Sequence, residues 1–206
     1  MTDDTPDLTP VVTPDVTAAD LPPLVLLGDA QLAQPSAPVQ PGDISTPEFR
    51  RKLALLRLGL DVHGANGIAA PQLGWFERFL FMRDPSGGDE VVCWINPEIV
   101  HSADEQVGYW EGCLSVPGYK AFVMRSAAVA VRGLDAQGQP LNREFTGWEA
   151  HLFQHEFDHL DGILFPYRVA DPRHMVTTEA LEQRDQWPPD WPAPGAHNAP
   201  VRVIRD

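Results

Sequence analysis

Apolar positions recur at helical spacing in two places along the chain. After Thr46, Phe49, Leu53, Leu56 and Leu60 follow one another at intervals of four, three and four, and Pro47 stands at the first helical position, which predicts a helix that stops before Gly64. A second helix is predicted over Thr146 to Gly162, reading TGWEAHLFQHEFDHLDG. Thr146 and Glu149 have the spacing of a capping box, and Gly162 suits the left-handed residue that closes a helix. Leu152, Phe153, Phe157 and Leu160 cover most directions around it, so that only a His/Glu stripe interrupts the apolar surface and the helix is expected to be buried.

Between and around these helices the period shortens to two. Phe79 to Met82 and Val91 to Ile95 read as a hairpin around Asp84-Pro85-Ser86-Gly87-Gly88, with Asn96-Pro97 expected to end the second strand and Cys93 a small core residue within it. Another short strand is expected near Val107 to Trp110. Val129 to Val131 and Leu141 to Phe145 flank the turn Asp135-Ala136-Gln137-Gly138, so a second hairpin feeds directly into the His-bearing helix. The pattern predicts an α+β fold: short, mostly antiparallel strands in small sheets around a central helix.

Residues 1–23, rich in Thr, Pro and Asp, are expected to form a disordered or extended tail. Residues 24–186 are expected to form one catalytic domain. It begins with the apolar run Leu24 to Leu27 and an extended loop from Gln34 to Asp43, and ends in a weakly helical stretch from Thr177 to Gln186. The Trp- and Pro-rich residues 187–206 are expected to lie against the body. The small residues from Asn66 to Gly74 have two readings, a plain helix-to-strand loop or a place where backbone approaches something closely.

Composition narrows the function classes. With 15 basic and 29 acidic residues among 206, the formal charge is −14, which argues against direct binding to nucleic acid or anionic lipid. The first ten residues lack a basic segment followed by an apolar core, and no apolar run approaches the roughly 20 residues needed to span a bilayer, so a cytoplasmic protein is expected. In that setting Cys93 and Cys113 are expected to be reduced, which leaves a thiolate available for metal.

The chemistry concentrates on the second helix. His155 and His159 are one turn apart and share a face, so two imidazoles can hold one ion, while Glu156 beside them can serve as a base without ligating. Catalytic divalent sites usually take three protein ligands. Cys113 is one candidate for the third, since its thiolate suits Fe(II), Zn(II), Co(II) or Ni(II), and Glu111 is then placed to orient a histidine. Glu179, twenty residues beyond His159, is the other candidate, as in two-His-one-Glu metallopeptidases. Spacing alone does not choose between them.

Three stretches in register carry a more specific signal. Gly67-Ile68-Ala69-Ala70-Pro71-Gln72, Glu111-Gly112-Cys113-Leu114-Ser115 and Gln154-His155-Glu156-Phe157-Asp158-His159 resemble the three motifs of the peptide deformylases in order and separation. The likeness also runs through Asn96-Pro97, Val116-Pro117-Gly118-Tyr119-Lys120 and Thr146-Gly147-Trp148, covering roughly Leu24 to Arg184. It implies that Cys113, His155 and His159 hold one divalent ion per chain, typically Fe(II), with Zn(II), Ni(II) or Co(II) able to replace it. It implies too that Glu156 is the general base and that Gln72 and the Leu114 N–H stabilise an oxyanion. The implied substrate is the formyl-methionine end of nascent chains, with transient ribosome proximity. Gly67 and Gly112 would then lie along the peptide backbone, and Trp148 and His151 would border the methionine pocket. Two residues depart from the family pattern: Ala65 stands where relatives usually have Gly, and His151 where many have Arg or an aliphatic residue. Both departures bear on substrate preference. Lys120, where many relatives carry Arg, has two readings, a contact to peptide or a solvated surface residue.

Overall fold

A computed structural model describes residues 15–84 and 90–201. Its elements in chain order are α1 (Pro47–Val62), β1 (Gly67–Ala69), β2 (Phe79–Arg83), β3 (Val91–Ser102), β4 (Gln106–Cys113) and β5 (Val116–Ser126). They are followed by β6 (Ala128–Leu134), β7 (Pro140–Thr146), α2 (Gly147–Leu160), β8 (Met175–Thr177) and α3 (Thr178–Glu182). Every strand pairing is antiparallel, in one sheet ordered β1-β2-β3-β6-β7 and a second ordered β4-β5-β8. The α+β architecture expected from the sequence is the one observed. Most of the hairpin turn after Asp84 lies outside the described residues.

Strand alternation explains the layering. In β2 and β3, Phe79, Phe81, Cys93 and Ile95 point to one face and pack with Phe49, Leu53, Leu56 and Leu60 of α1. Leu80, Met82 and Trp94 point to the other face and pack with Leu152, Phe153 and Leu160 of α2. The five-stranded sheet is therefore covered on both sides, and α2 lies between it and the three-stranded sheet. In β4 the same alternation sends Trp110 outward and Glu111 inward. Trp110 donates from Nε1 to Ala196 O at 2.9 Å and packs with Trp187, Trp191 and Val176, so the C-terminal segment covers the outer face of the second sheet.

Three local features differ from the sequence expectation. β3 does not end at Asn96-Pro97 but continues to Ser102 through two register shifts. Asn96 adopts a left-handed φ of 48°, open to Asn because its side chain bonds backbone: here it bridges Val39 N and Val39 O, each at 2.8 Å. The long strand β5 was not anticipated, and neither were the three-residue strands β1 and β8. Finally, no capping box opens α2. Thr146 is still paired with Ala128 in β7, and Gly147 turns the chain at φ 54° while its N–H bonds Ala127 O at 2.7 Å, so sheet pairing replaces the side-chain cap.

The other end of α2 closes as expected. Gly162 takes φ 74°, its N–H reaches His159 O at 3.3 Å, and the Ile163 N–H reaches Asp158 O at 2.8 Å. A side chain at Gly162 would meet the backbone of Ala33 and Gln34 at 2.7 Å. Gly162→Ala is therefore expected to lose about 2 kcal/mol or more, from the left-handed strain and the clash together. In thermal denaturation that corresponds to a fall of about 4–8 °C; an unchanged midpoint would show that the N-terminal segment yields freely around this glycine.

Candidate metal centre

The ligand cluster forms where the two sheets meet α2. β4 ends at Cys113, two residues beyond the inward-facing Glu111, with a register shift between them. His155 and His159 lie on the facing stripe of α2, and their ligating atoms and Cys113 Sγ all lie within 4.8 Å of one another. All three side chains are buried. Glu179 is exposed on α3 and takes no part in this cluster, whose third member is the sulfur of Cys113.

The surrounding groups fit a divalent ion. Gln72 Nε2 and Ser115 N each point at Cys113 Sγ from 3.4 Å, the donors that a ligating sulfur attracts. Glu111 Oε2 lies 2.7 Å from His155 Nδ1, which leaves His155 Nε2 as the ring nitrogen for a metal. Burial opposes protonation of His155, but Glu111 and Cys113 outweigh it and hold its pKa well above the ordinary value. His159 goes the other way, held well below its ordinary value by burial and by His155, so its lone pair is available. A sulfur and two imidazoles suit Fe(II), Zn(II), Ni(II) or Co(II) better than Mg(II) or Ca(II).

Glu156 is buried, and burial pushes its carboxyl up to about 7 against the pull of His155. Its Oε2 has no hydrogen-bond partner. The Gln72 amide, carried on the 3-10 turn after β1, accepts from Ala69 N at 2.9 Å through Oε1, which aims Nε2 at the cluster. Leu114, also buried, follows Cys113 at once and is held in the β4–β5 turn.

Residues 21–175 match the family model described as Polypeptide deformylase. The chain belongs to the peptide deformylase family. Peptide deformylase 3 of Streptomyces avermitilis is 35% identical over 174 residues, covering 79% of this chain and 77% of the relative. Peptide deformylase 2 of Xanthomonas campestris is 40% identical over 163 residues, covering 79% and 95%. Among solved structures, the actinonin-bound class I type b peptide deformylase from Acinetobacter baumannii superposes with a TM-score of 0.68 at 31% identity, over 73% of this chain and 99% of that one. The peptide deformylase from Thermotoga maritima gives the same TM-score, identity and coverage.

The deformylase motifs carry more packing duty than their spacing suggests. A side chain on Gly67 would collide with Glu156 Oε1, and one on Gly112 with Lys120 Nζ, so these glycines make room for a buried carboxylate and a buried lysine. The close approach foreseen around Asn66 to Gly74 is thus, in the first place, an approach by the protein's own carboxylate. Lys120 is not a solvated surface residue. Trp148 and His151 are buried and pack on Tyr109, with ring centroids 5.3 and 4.9 Å from it. Ala65 has no exposed surface and belongs to the core beneath α1.

Sequence reading missed the ion network behind the ligands. Arg125 on β5 donates from Nε to Glu111 Oε1 at 2.6 Å, from NH2 to Glu111 Oε2 at 3.0 Å, and from NH1 to Asp158 Oδ2 at 2.6 Å. Arg168 joins from outside, at 2.6 Å and 3.0 Å from the two Asp158 oxygens. Arg125 and Asp158 lay in plain view in the sequence, but neither has a local partner; only the pairing of β4 with β5 and the packing of α2 bring them to Glu111.

Removing Arg125 leaves a buried carboxylate uncompensated. Arg125→Met is expected to cost about 3–5 kcal/mol in urea denaturation. Arg168→Ala, whose side chain is 45% exposed, is expected to cost about 1 kcal/mol or less; equal losses would deny Arg125 its place at the centre. Cys113→Ala is expected to abolish stoichiometric metal retention, and Glu179→Gln to leave it intact, by metal analysis of the purified variants. The opposite pattern would move the third ligand to α3.

Proposed function

We propose that the chain hydrolyses the N-formyl group from the N-terminal formyl-methionine of newly made polypeptides, releasing formate. Cys113, His155 and His159 hold the divalent ion, Fe(II) first, with Zn(II), Ni(II) or Co(II) as replacements. The observation that carries the reading is the unpartnered Glu156 Oε2, a buried carboxylate oxygen kept next to a Cys/His/His ligand set in a family of peptide deformylases. When bound, the ion makes water nucleophilic near neutral pH and polarises the formyl carbonyl.

The chain's own residues do the rest. Glu156 accepts the proton of the attacking water and delivers it to the leaving amine. Gln72 Nε2 carries two hydrogens, one directed at Cys113 Sγ; the other is available to the developing oxyanion, with the Leu114 N–H as second donor. Among the described residues β1 is an edge strand paired with β2 alone, so the substrate backbone can add alongside it at Gly67 and continue past Gly112. Trp148, which keeps 8% of its surface, borders the methionine side chain with His151 behind it. Such a substrate exists where chains are made, which supports a cytoplasmic location with transient proximity to the ribosome. The charge of −14 speaks against nucleic acid as a direct partner, and among the described residues no helix is long and apolar enough to cross a membrane.

Formate release from formyl-Met-Ala, with casein as the control substrate, tests the reaction. Wild type is expected to turn over the formyl peptide and leave casein intact. Glu156→Gln is expected to keep its metal and lose at least about two orders of magnitude in turnover. Near-normal turnover in that variant would remove Glu156 from the mechanism, and casein cleavage by wild type would replace the deformylase with an endopeptidase.

A further inference from the structure

One histidine of α2 lies outside the ligand set yet is built against it. His151 stands one turn before His155, has no exposed surface, and is enclosed by Trp148, stacked at 5.8 Å, and Tyr109, edge-on at 4.9 Å. Its Nε2 lies 2.5 Å from Glu111 Oε1, a close contact at an angle off the straight line of an ideal hydrogen bond. Two lone pairs would repel at that distance, so Nε2 carries the hydrogen. Burial holds His151 below its ordinary pKa against the pull of Glu111.

The carboxylate of Glu111 is consequently approached twice on each oxygen. Oε1 meets Arg125 Nε at 2.6 Å and His151 Nε2; Oε2 meets Arg125 NH2 at 3.0 Å and His155 Nδ1 at 2.7 Å. The arginine reaches it from β5, and both imidazoles reach it from α2. Without His151, Oε1 would be held from β5 alone, and the carboxylate could rock about the arginine fork and carry the His155 ring with it. Orientation of a ligating imidazole by the group on its other nitrogen matters because a small rotation of the ring displaces the lone pair from the ion.

We propose that His151 is a positioning residue of the metal centre: it fixes Glu111 Oε1 so that Oε2 stays on His155 Nδ1 and His155 Nε2 stays aimed at Cys113 and His159. This rests on the reading that those three residues bind the ion. The ring fills the space between Trp148 and Tyr109 and brings Nε2 to the carboxylate, while Nδ1 has no hydrogen-bond partner.

The test compares His151→Phe, which keeps a stacked ring without a donor, with His151→Gln, which keeps an N–H at similar reach. Apo protein is titrated with Co(II) against a competing chelator, and the thiolate-to-Co(II) and d–d absorption bands are recorded. His151→Phe is expected to bind Co(II) about tenfold or more weakly, with shifted d–d bands and an apo melting point close to wild type, while His151→Gln recovers affinity to within about threefold. Should the phenyl ring prevent folding, His151→Leu makes the same comparison. Wild-type affinity and spectrum in the Phe or Leu variant, or a Gln variant as weak as these, would overturn the proposal. Wild type without a thiolate-to-Co(II) band would overturn the metal reading itself, which separates the two failures.

Discussion

The buried carboxylate of Glu111 is the constraint on which the centre of this molecule depends. It has no exposed surface, and an ionised group there is tolerable only with full compensation. Arg125 provides it through two bonds, and Glu111 in turn is held well below the usual carboxylate range: burial alone would raise it, but Arg125, His155 and His151 prevail. Because Glu111 belongs to β4, Arg125 to β5 and the histidines to α2, one carboxylate fastens the second sheet to the central helix. The same group that fastens the sheet also sets the ring angle of His155.

Packing on both sides protects that arrangement. The alternation in β4 puts Trp110 directly behind Glu111, and the outer face of the sheet is covered by Trp187, Trp191, Ala196 and Ala199. These residues lie beyond the stretch matched by the family model, which ends at residue 175. The covering of β4 thus comes from the chain's C-terminal segment. On the opposite side, α2 is held to the five-stranded sheet by the aromatic contacts of Trp94, Phe145 and Phe153, with centroids 5.2 to 5.9 Å apart. A helix clamped from both directions presents His155, Glu156 and His159 without freedom to drift, and preorganisation of that kind is what a hydrolytic centre requires.

The short motifs therefore do two jobs. Gly67 is needed because Glu156 occupies the place of its side chain, and Gly112 because Lys120 does. Gln72 folds back on its own turn through Ala69 N before it reaches Cys113. The residues nearest the chemistry are held by their neighbours as tightly as the core is.

Much of this was legible in the chain itself. The helical period of Phe49 to Leu60, the two-residue alternation of β2, β3, β6 and β7, and the one-turn spacing of His155 and His159 are local regularities that backbone geometry converts directly into elements and faces. Three motifs in register were sufficient to name the family. What local pattern could not carry was everything that depends on meeting across the fold: the choice of Cys113 over Glu179, the continuation of β3 through Asn96, the replacement of the Thr146 cap by a bond to Ala127 O, and the convergence of Arg125, Asp158 and His151 on Glu111. The physical reason is the same in each case. A buried charge or an unpaired backbone group is satisfied by whichever partner the tertiary packing brings within bonding distance, and sequence separation, 46 residues between Cys113 and His159 and 14 between Glu111 and Arg125, holds no record of that distance.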